Sequence, residues 1–449
     1  MSAGSERAMQ SPERRGRLLV LGLLAPVVGA IAGLVGAIFR LALKQSEQSR
    51  DILIGWAHGR SALGFLLVVA VCGCANFVAA WLVRRFAPHA SGSGIPHVEA
   101  VLHEKIPPAP PGIAPVKFVG GILSIGSGLA LGREGPTVQM GASMAYFLGR
   151  ILGCGWPECR VLLAAAAGAG LATAFNAPLA GAIFVLEELV QKFEYRIAIA
   201  ALAASAAAIA VARIFLGNAP DFHVGTLHYA SAASQPLFFV FGGLTGLLAI
   251  AYNRALLATI AAVGSFGRLR VETRAGLIGG AVGILAWFAP DLVGGGDGIT
   301  QSMILGPDTV ALVSIAFLIR FGLGAISYAA GTPGGLFAPL LVLGAQSGLL
   351  FGTACHLAFP SLDIQPEGFA IVGLAALFTG VVRAPLTGIV LVTEMTADVT
   401  MLLPMLGACF GAMLVPTLLG NAPIYESLRE QTIRHDIALR DKGKETARN

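Results

Sequence analysis

The stretch LGREGPTVQM at 131–140 sets Arg133 and Glu134 side by side in one of the most apolar parts of the chain, and VLEELV at 185–190 sets Glu187 and Glu188 in another. Ionising a carboxylate in such surroundings is costly, so a group placed there is a functional candidate by default. The chemistry open to it is proton uptake and release, and competition with an anion for the same place. GREGP also has the form of a helix start, in which proline is favoured because its missing N–H has no partner in the first turn. SGSGIPHVEA at 91–100 and GGLFAPLLVLGA at 334–345 share the plan of glycines, a proline and an apolar run. Free N–H groups and the positive end of the helix dipole at such starts bind anions, and glycine lets backbone approach closely. An anion is then held without a fixed full charge. Glu134, at one of these starts, can take the anion's place when ionised and leave it when protonated. Adjacent residues on a helix do not face each other, so Arg133 is expected to have a structural or field role rather than to pair with Glu134.

The elements that must position these residues are membrane helices. The chain has 449 residues, 55% hydrophobic and 12% charged, against about a quarter charged in a water-soluble domain. Mean hydropathy is +0.76. Apolar runs at 18–43, 62–83 and 235–262 are long enough to cross ~30 Å of hydrocarbon. Others, around Pro178 and Pro385, are interrupted, and broken segments at membrane depth survive only where protein or a watery cavity covers them. The 58 glycines lie mostly inside apolar segments, which favours close helix packing. Arg7, Arg14, Arg15 and Arg17 precede the first span, and Arg84 and Arg85 close the second on the same side. This is a positive-inside bias with an uncleaved cytoplasmic N-terminus. The net charge of +5 needs no nucleic-acid partner. The six cysteines, without a C-x-x-C pair, read as small core hydrophobes, and the scattered histidines predict no metal site.

The chain also repeats itself. AFNAPLAGAIFVLEELV at 174–190 matches VVRAPLTGIVLVTEMTA at 381–397 through Ala177/Ala384, Pro178/Pro385, Leu179/Leu386, Gly181/Gly388, Val185/Val392 and Glu187/Glu394, a separation of 207. Upstream, GREGPTVQMGA from Gly132 matches GLFAPLLVLGA from Gly335 at a separation of 203. Internal repeats with broken helices at corresponding positions point to a transporter with its site near the bilayer midplane. Under this alignment Glu134 faces Phe337 and Glu188 faces Met395, whereas Glu187 has Glu394 as its counterpart. A residue needed by the architecture should recur, and one added for chemistry need not. The other reading of Glu187 and Glu188 is a solvated helix end, with Gln191 and Lys192 just beyond.

GSGIP, GREGP, GGLFAP and the late PIYESL, in this order, resemble the CLC family of chloride channels and chloride/proton antiporters over about 90–425. The resemblance implies an all-α polytopic fold with an inverted internal repeat, broken and re-entrant helices around a midplane anion site, and a homodimer in which each subunit has its own pathway. Position by position it implies that the Ser93 and Tyr425 hydroxyls and the backbone amides of Leu336 and Phe337 bind chloride. It implies that Glu134 is the external gate and proton acceptor and that Glu188 is the inner proton-transfer group. Taken alone, Ser93 reads also as a helix cap and Tyr425 as an interfacial tyrosine. His97 stands where the family often has an acidic residue, which changes the local charge.

The expected function is secondary active exchange of chloride for protons, with no cofactor and no enzymatic activity. A passive voltage- or pH-gated chloride channel of the same fold is the alternative. From another class, a membrane-embedded hydrolase would use Ser93 as nucleophile and need His89 or His97 as base and an oxyanion hole. The expected organisation is a cytoplasmic segment 1–17, a transmembrane domain 18–425 with halves of about 18–225 and 226–425, and a cytoplasmic tail 426–449 too short for a regulatory domain. The expected location is a bacterial inner membrane, with both termini cytoplasmic.

Overall fold

The computed structural model describes residues 12–265, 267, 269–306 and 309–448, and Arg7 lies outside them. Among the described residues every regular element is helical. The first half contributes α1 (Pro12–His58), α2 (Ser61–Phe86), α3 (Ile95–Leu102), α4 (Ile113–Gly126), α5 (Glu134–Ile151), α6 (Trp156–Phe175), α7 (Pro178–Phe184) running into a π turn (Val185–Leu189), and α8 (Tyr195–Leu216). The second half repeats the order with α9 (Gln235–Ser265), α10 (Val271–Phe288), α11 (Asp297–Leu305), α12 (Val310–Ala329), α13 (Phe337–Ala358), α14 (Pro366–Val382), α15 (Pro385–Thr396) and α16 (Leu402–Leu418). The last helix, α17 (Ile424–Arg448), has no counterpart.

Among the described residues, eight helices are long and apolar enough to cross a membrane. The short ones are sheltered: all eight residues of α3 are buried, as backbone at membrane depth requires. Two boundaries differ from expectation. Helix α1 starts inside the 1–17 segment and continues past residue 43, because the polar stretch KQSEQSRD is made largely of good helix formers. Its 47 residues span about 70 Å at 1.5 Å per residue, well beyond the bilayer core. Helix α17 runs through the expected boundary at 425/426, so the tail continues an element of the transmembrane domain. Of the cysteines, Cys72, Cys159, Cys355 and Cys409 are buried as expected, while Cys154 is half-buried and Cys74 exposed on α2. An outward membrane-helix face is as apolar as the core, so a thiol sits on either.

Equivalent residues of the two halves meet each other. The Gly132 N–H donates to the Gly335 carbonyl at 2.8 Å and the Gly335 N–H donates back at 2.7 Å. At the short helices, Glu394 accepts the Leu179 and Ala180 N–H groups at 3.1 and 2.8 Å. Glu187 accepts those of Leu386 and Thr387 at 3.0 and 2.6 Å, with the Thr387 hydroxyl added at 2.7 Å. Each glutamate thus caps the first turn of the other half's broken helix, where N–H groups lack intrahelical partners. Reciprocal contacts of this kind are the mark of a two-fold relation. Helix α13 has 22 residues and α5 has 18, which is the step from a separation of 203 to one of 207.

Candidate functional site

Four chain breaks converge. Glu134 opens α5, Phe337 opens α13, Ser93 lies one residue before the Gly94 N-cap of α3, and Tyr425 stands in the first turn of α17. All four side chains are fully buried. The Glu134 carboxylate crosses to the other half, where Oε1 accepts the Phe337 N–H at 2.7 Å, and the Ala338 amide faces the same group. A Cβ on Gly335 would collide with that carboxylate, so close approach requires glycine there. Leu336, the N-cap of α13, is also buried. The acid therefore occupies the positive end of α13, the place where helix geometry favours an anion.

Ser93 and Tyr425 bring the other polar groups. The first turn of α5 lies against Ser93 at Gly135, and the Tyr425 hydroxyl has Ser93, Glu134 and Tyr328 around it. The Ser93 and Tyr425 hydroxyls lie beside each other, and neither has a further hydrogen-bond partner. Buried hydroxyls are normally paired. Two adjacent hydroxyls beside two helix N-termini make a cradle that suits a small anion. The Ser93 oxygen also lacks the hydrogen-bonded base a nucleophile needs, and His97 Nε2 is itself unpartnered. Among the described residues Ser93 therefore has no hydrogen-bonded base.

Arg133 turns away from Glu134 as its position next door in sequence predicts. It donates to the Ala174 carbonyl at 2.9 Å and pairs with Asp297 at 2.8 Å and Asp221 at 3.3 Å. Arg40 holds the far oxygen of Asp221 at 2.8 Å. A cleft of about 480 Å³ bordered by Gly132, Arg133, Gly295, Asp297 and Ala338 reaches this face of the site. Another, of about 280 Å³, reaches the Ser93 loop past Gly92, Gly94, His97 and Tyr328.

Glu188 lies on the π turn after α7 and is 5% exposed, so the solvated-end reading does not describe it. Glu187 is engaged in capping α15. Glu99, Glu187, Glu426 and Arg429 surround Glu188.

Sequence reasoning missed three contributors. Lys117 on α4 is fully buried and donates to the carbonyls of Ala90 and Gly92 at 3.0 and 2.6 Å, bracing the loop that carries Ser93. A lone cation inside the apolar run APVKFVGGIL was a usable signal. Tyr328 accepts the Ser93 N–H at 3.4 Å. Arg429 pairs with the buried Glu99. Nothing in the local pattern around Tyr328 or Arg429 points to the site.

Residues 75–417 match the voltage gated chloride channel family. The H(+)/Cl(-) exchange transporter ClcA of Vibrio parahaemolyticus is 37% identical over 421 residues, 92% of this chain and 90% of that protein. The ClcA of Klebsiella pneumoniae is 38% identical over 92% of this chain and 89% of its own. A crystal structure described as a slow cyanobacterial Cl-/H+ antiporter superposes with a TM-score of 0.88 at 35% identity, covering 93% of this chain and 98% of that one.

Proposed function

This chain belongs to the voltage gated chloride channel family, the CLC family, and we propose that it is a chloride/proton antiporter that uses Glu134 as gate and outer proton acceptor and Glu188 as inner proton-transfer group. The observation that carries this reading is the Glu134 carboxylate on the Phe337 N–H, fully buried. Ionised, it fills the α13 N-terminus and excludes an anion. Protonated, it loses the charge that holds it there, and chloride takes the place between the amides of Leu336 and Phe337 and the hydroxyls of Ser93 and Tyr425. Each exchange of carboxylate for chloride is thereby tied to one proton taken up or released. Glu188 passes that proton to the other side by a route the anion does not share.

The polytopic protein sits in a bacterial inner membrane with the arginine-rich N-terminus and α17 cytoplasmic. Every group in the site comes from one chain, so a homodimer would carry two complete pathways. Reconstitution into chloride-loaded vesicles tests the reading. A chloride gradient should drive protons uphill in the wild type, and Glu188→Gln should keep chloride flux while proton flux vanishes. Chloride movement without any proton movement in the wild type would make the protein a passive channel.

A further inference from the structure

Helix α3 and helix α17 each carry two groups that matter. Ser93 flanks the N-terminus of α3 and Glu99 lies about 9 Å further along its axis. Tyr425 and Arg429 sit one turn apart, about 6 Å, on one face of α17. Glu99 and Arg429 form an ion pair in which the carboxylate is 1% exposed and the guanidinium 19%. Gln191, just past the π turn that holds Glu188, adds a hydrogen bond to Glu99 Oε1 at 3.3 Å, while Oε2 has no partner. Glu99 pairs with Arg429 and is bonded by Gln191 from the end of the Glu188 turn, which leaves the buried Glu188 within electrostatic reach of the same arginine. The other charged groups around them are Glu187, committed to the α15 cap, and Glu426 on α17. Arg429, Arg160 and Lys192 all act electrostatically on His103 nearby.

We propose that Arg429 is a positioning residue for proton transfer, a counter-ion shared between Glu99 and Glu188 that sets the pH at which the inner glutamate ionises and links that event to the α17 segment holding Tyr425. An ionised Glu188 competes with Glu99 for the guanidinium; a protonated one leaves Arg429 wholly to Glu99. Glu99 acts as the resident competitor. This rests on the reading of Glu188 as the inner proton-transfer group.

The two partners then make opposite predictions. Removing the cation disfavours an ionised Glu188, and removing the competing carboxylate favours it. In vesicles with equal pH on both sides, chloride-driven proton flux is followed as a function of pH. The pH of half-maximal flux should rise by about one unit in Arg429→Gln, roughly tenfold in proton concentration. It should fall in Glu99→Gln and stay near the wild-type value in Arg429→Lys, which keeps the charge. A merely structural pair would lower the rate in both variants without opposite shifts, and shifts of the same sign or none would overturn the proposal. Glu188→Gln is run alongside. If it still moves protons, the reading of Glu188 itself has failed; if it does not, and the Arg429 and Glu99 variants fail to diverge, only the shared counter-ion is wrong.

Discussion

The loop ahead of α3 and the loop ahead of α11 are the same backbone device in the two halves, yet they present different groups at the helix start. Each follows a short 3-10 turn that begins at a proline, Pro88 or Pro290, and ends in a left-handed glycine N-cap, Gly94 at φ 86° or Gly296 at φ 92°. Each is braced by a buried cation one repeat apart. Lys117 donates to the Ala90 and Gly92 carbonyls, and Arg320 donates to those of Leu292, Gly294 and Gly295. The differences are confined to what the loops present. One offers the Ser93 hydroxyl, whereas the other has Gly295 there and places an acidic residue, Asp297, in the first turn, where a negative charge disfavours a second anion. The scaffold recurs because folding needs it in both halves; the chemistry occurs once.

The carboxylates sort the same way, and breaking them gives the largest effects. Glu134 has no acidic counterpart, and Glu134→Gln should remove proton coupling to background while chloride flux persists and loses its dependence on outer pH. Phe337→Leu, at the equivalent position, should keep coupling, because Phe337 contributes its backbone N–H. Vesicle recordings showing proton pumping in Glu134→Gln would undo the distinction.

Glu187 and Glu394 are the recurring pair. Glu187→Ala and Glu394→Ala should each lower stability by about 1.5 to 3 kcal/mol, the usual worth of hydrogen bonds to a charged group, and leave exchange coupled. Thermal unfolding in detergent gives the two values. A coupling defect in either variant would move that glutamate out of the architectural class.

At the anion cradle the expected effects are smaller. Ser93→Ala and Tyr425→Phe each delete one neutral donor, which costs about 1 kcal/mol and weakens chloride binding roughly fivefold. Calorimetric titration reads this directly, and undiminished affinity in both would place the hydroxyls outside the site. The smallest effect belongs to Gly295→Ser. A Cβ there meets only the Leu131 carbonyl at 3.8 Å, so the hydroxyl is accommodated, and chloride stoichiometry should not change while Asp297 holds the helix start. A second bound chloride would show that the hydroxyl alone separates the two loops.

Much of this was legible in one dimension. Glycine–proline starts locate helices because they act through local backbone preference, and α3, α5 and α13 begin within those motifs. The repeat separates Glu187 from Glu188 because duplication preserves spacing along the chain, and even Lys117 and Arg320 stand 203 apart. The ends of α1 and α17 were not legible, since a helix made of polar, helix-favouring residues has no hydropathy edge. What only the tertiary structure decided is which partner each charge receives. Arg133 reaches Asp221 and Asp297, Glu187 reaches the α15 start, and Arg429 reaches Glu99 across 330 positions of chain. Those pairings depend on how helices cross and how deeply they bury a group, because desolvation leaves a charge no choice but the nearest donor or acceptor in three dimensions.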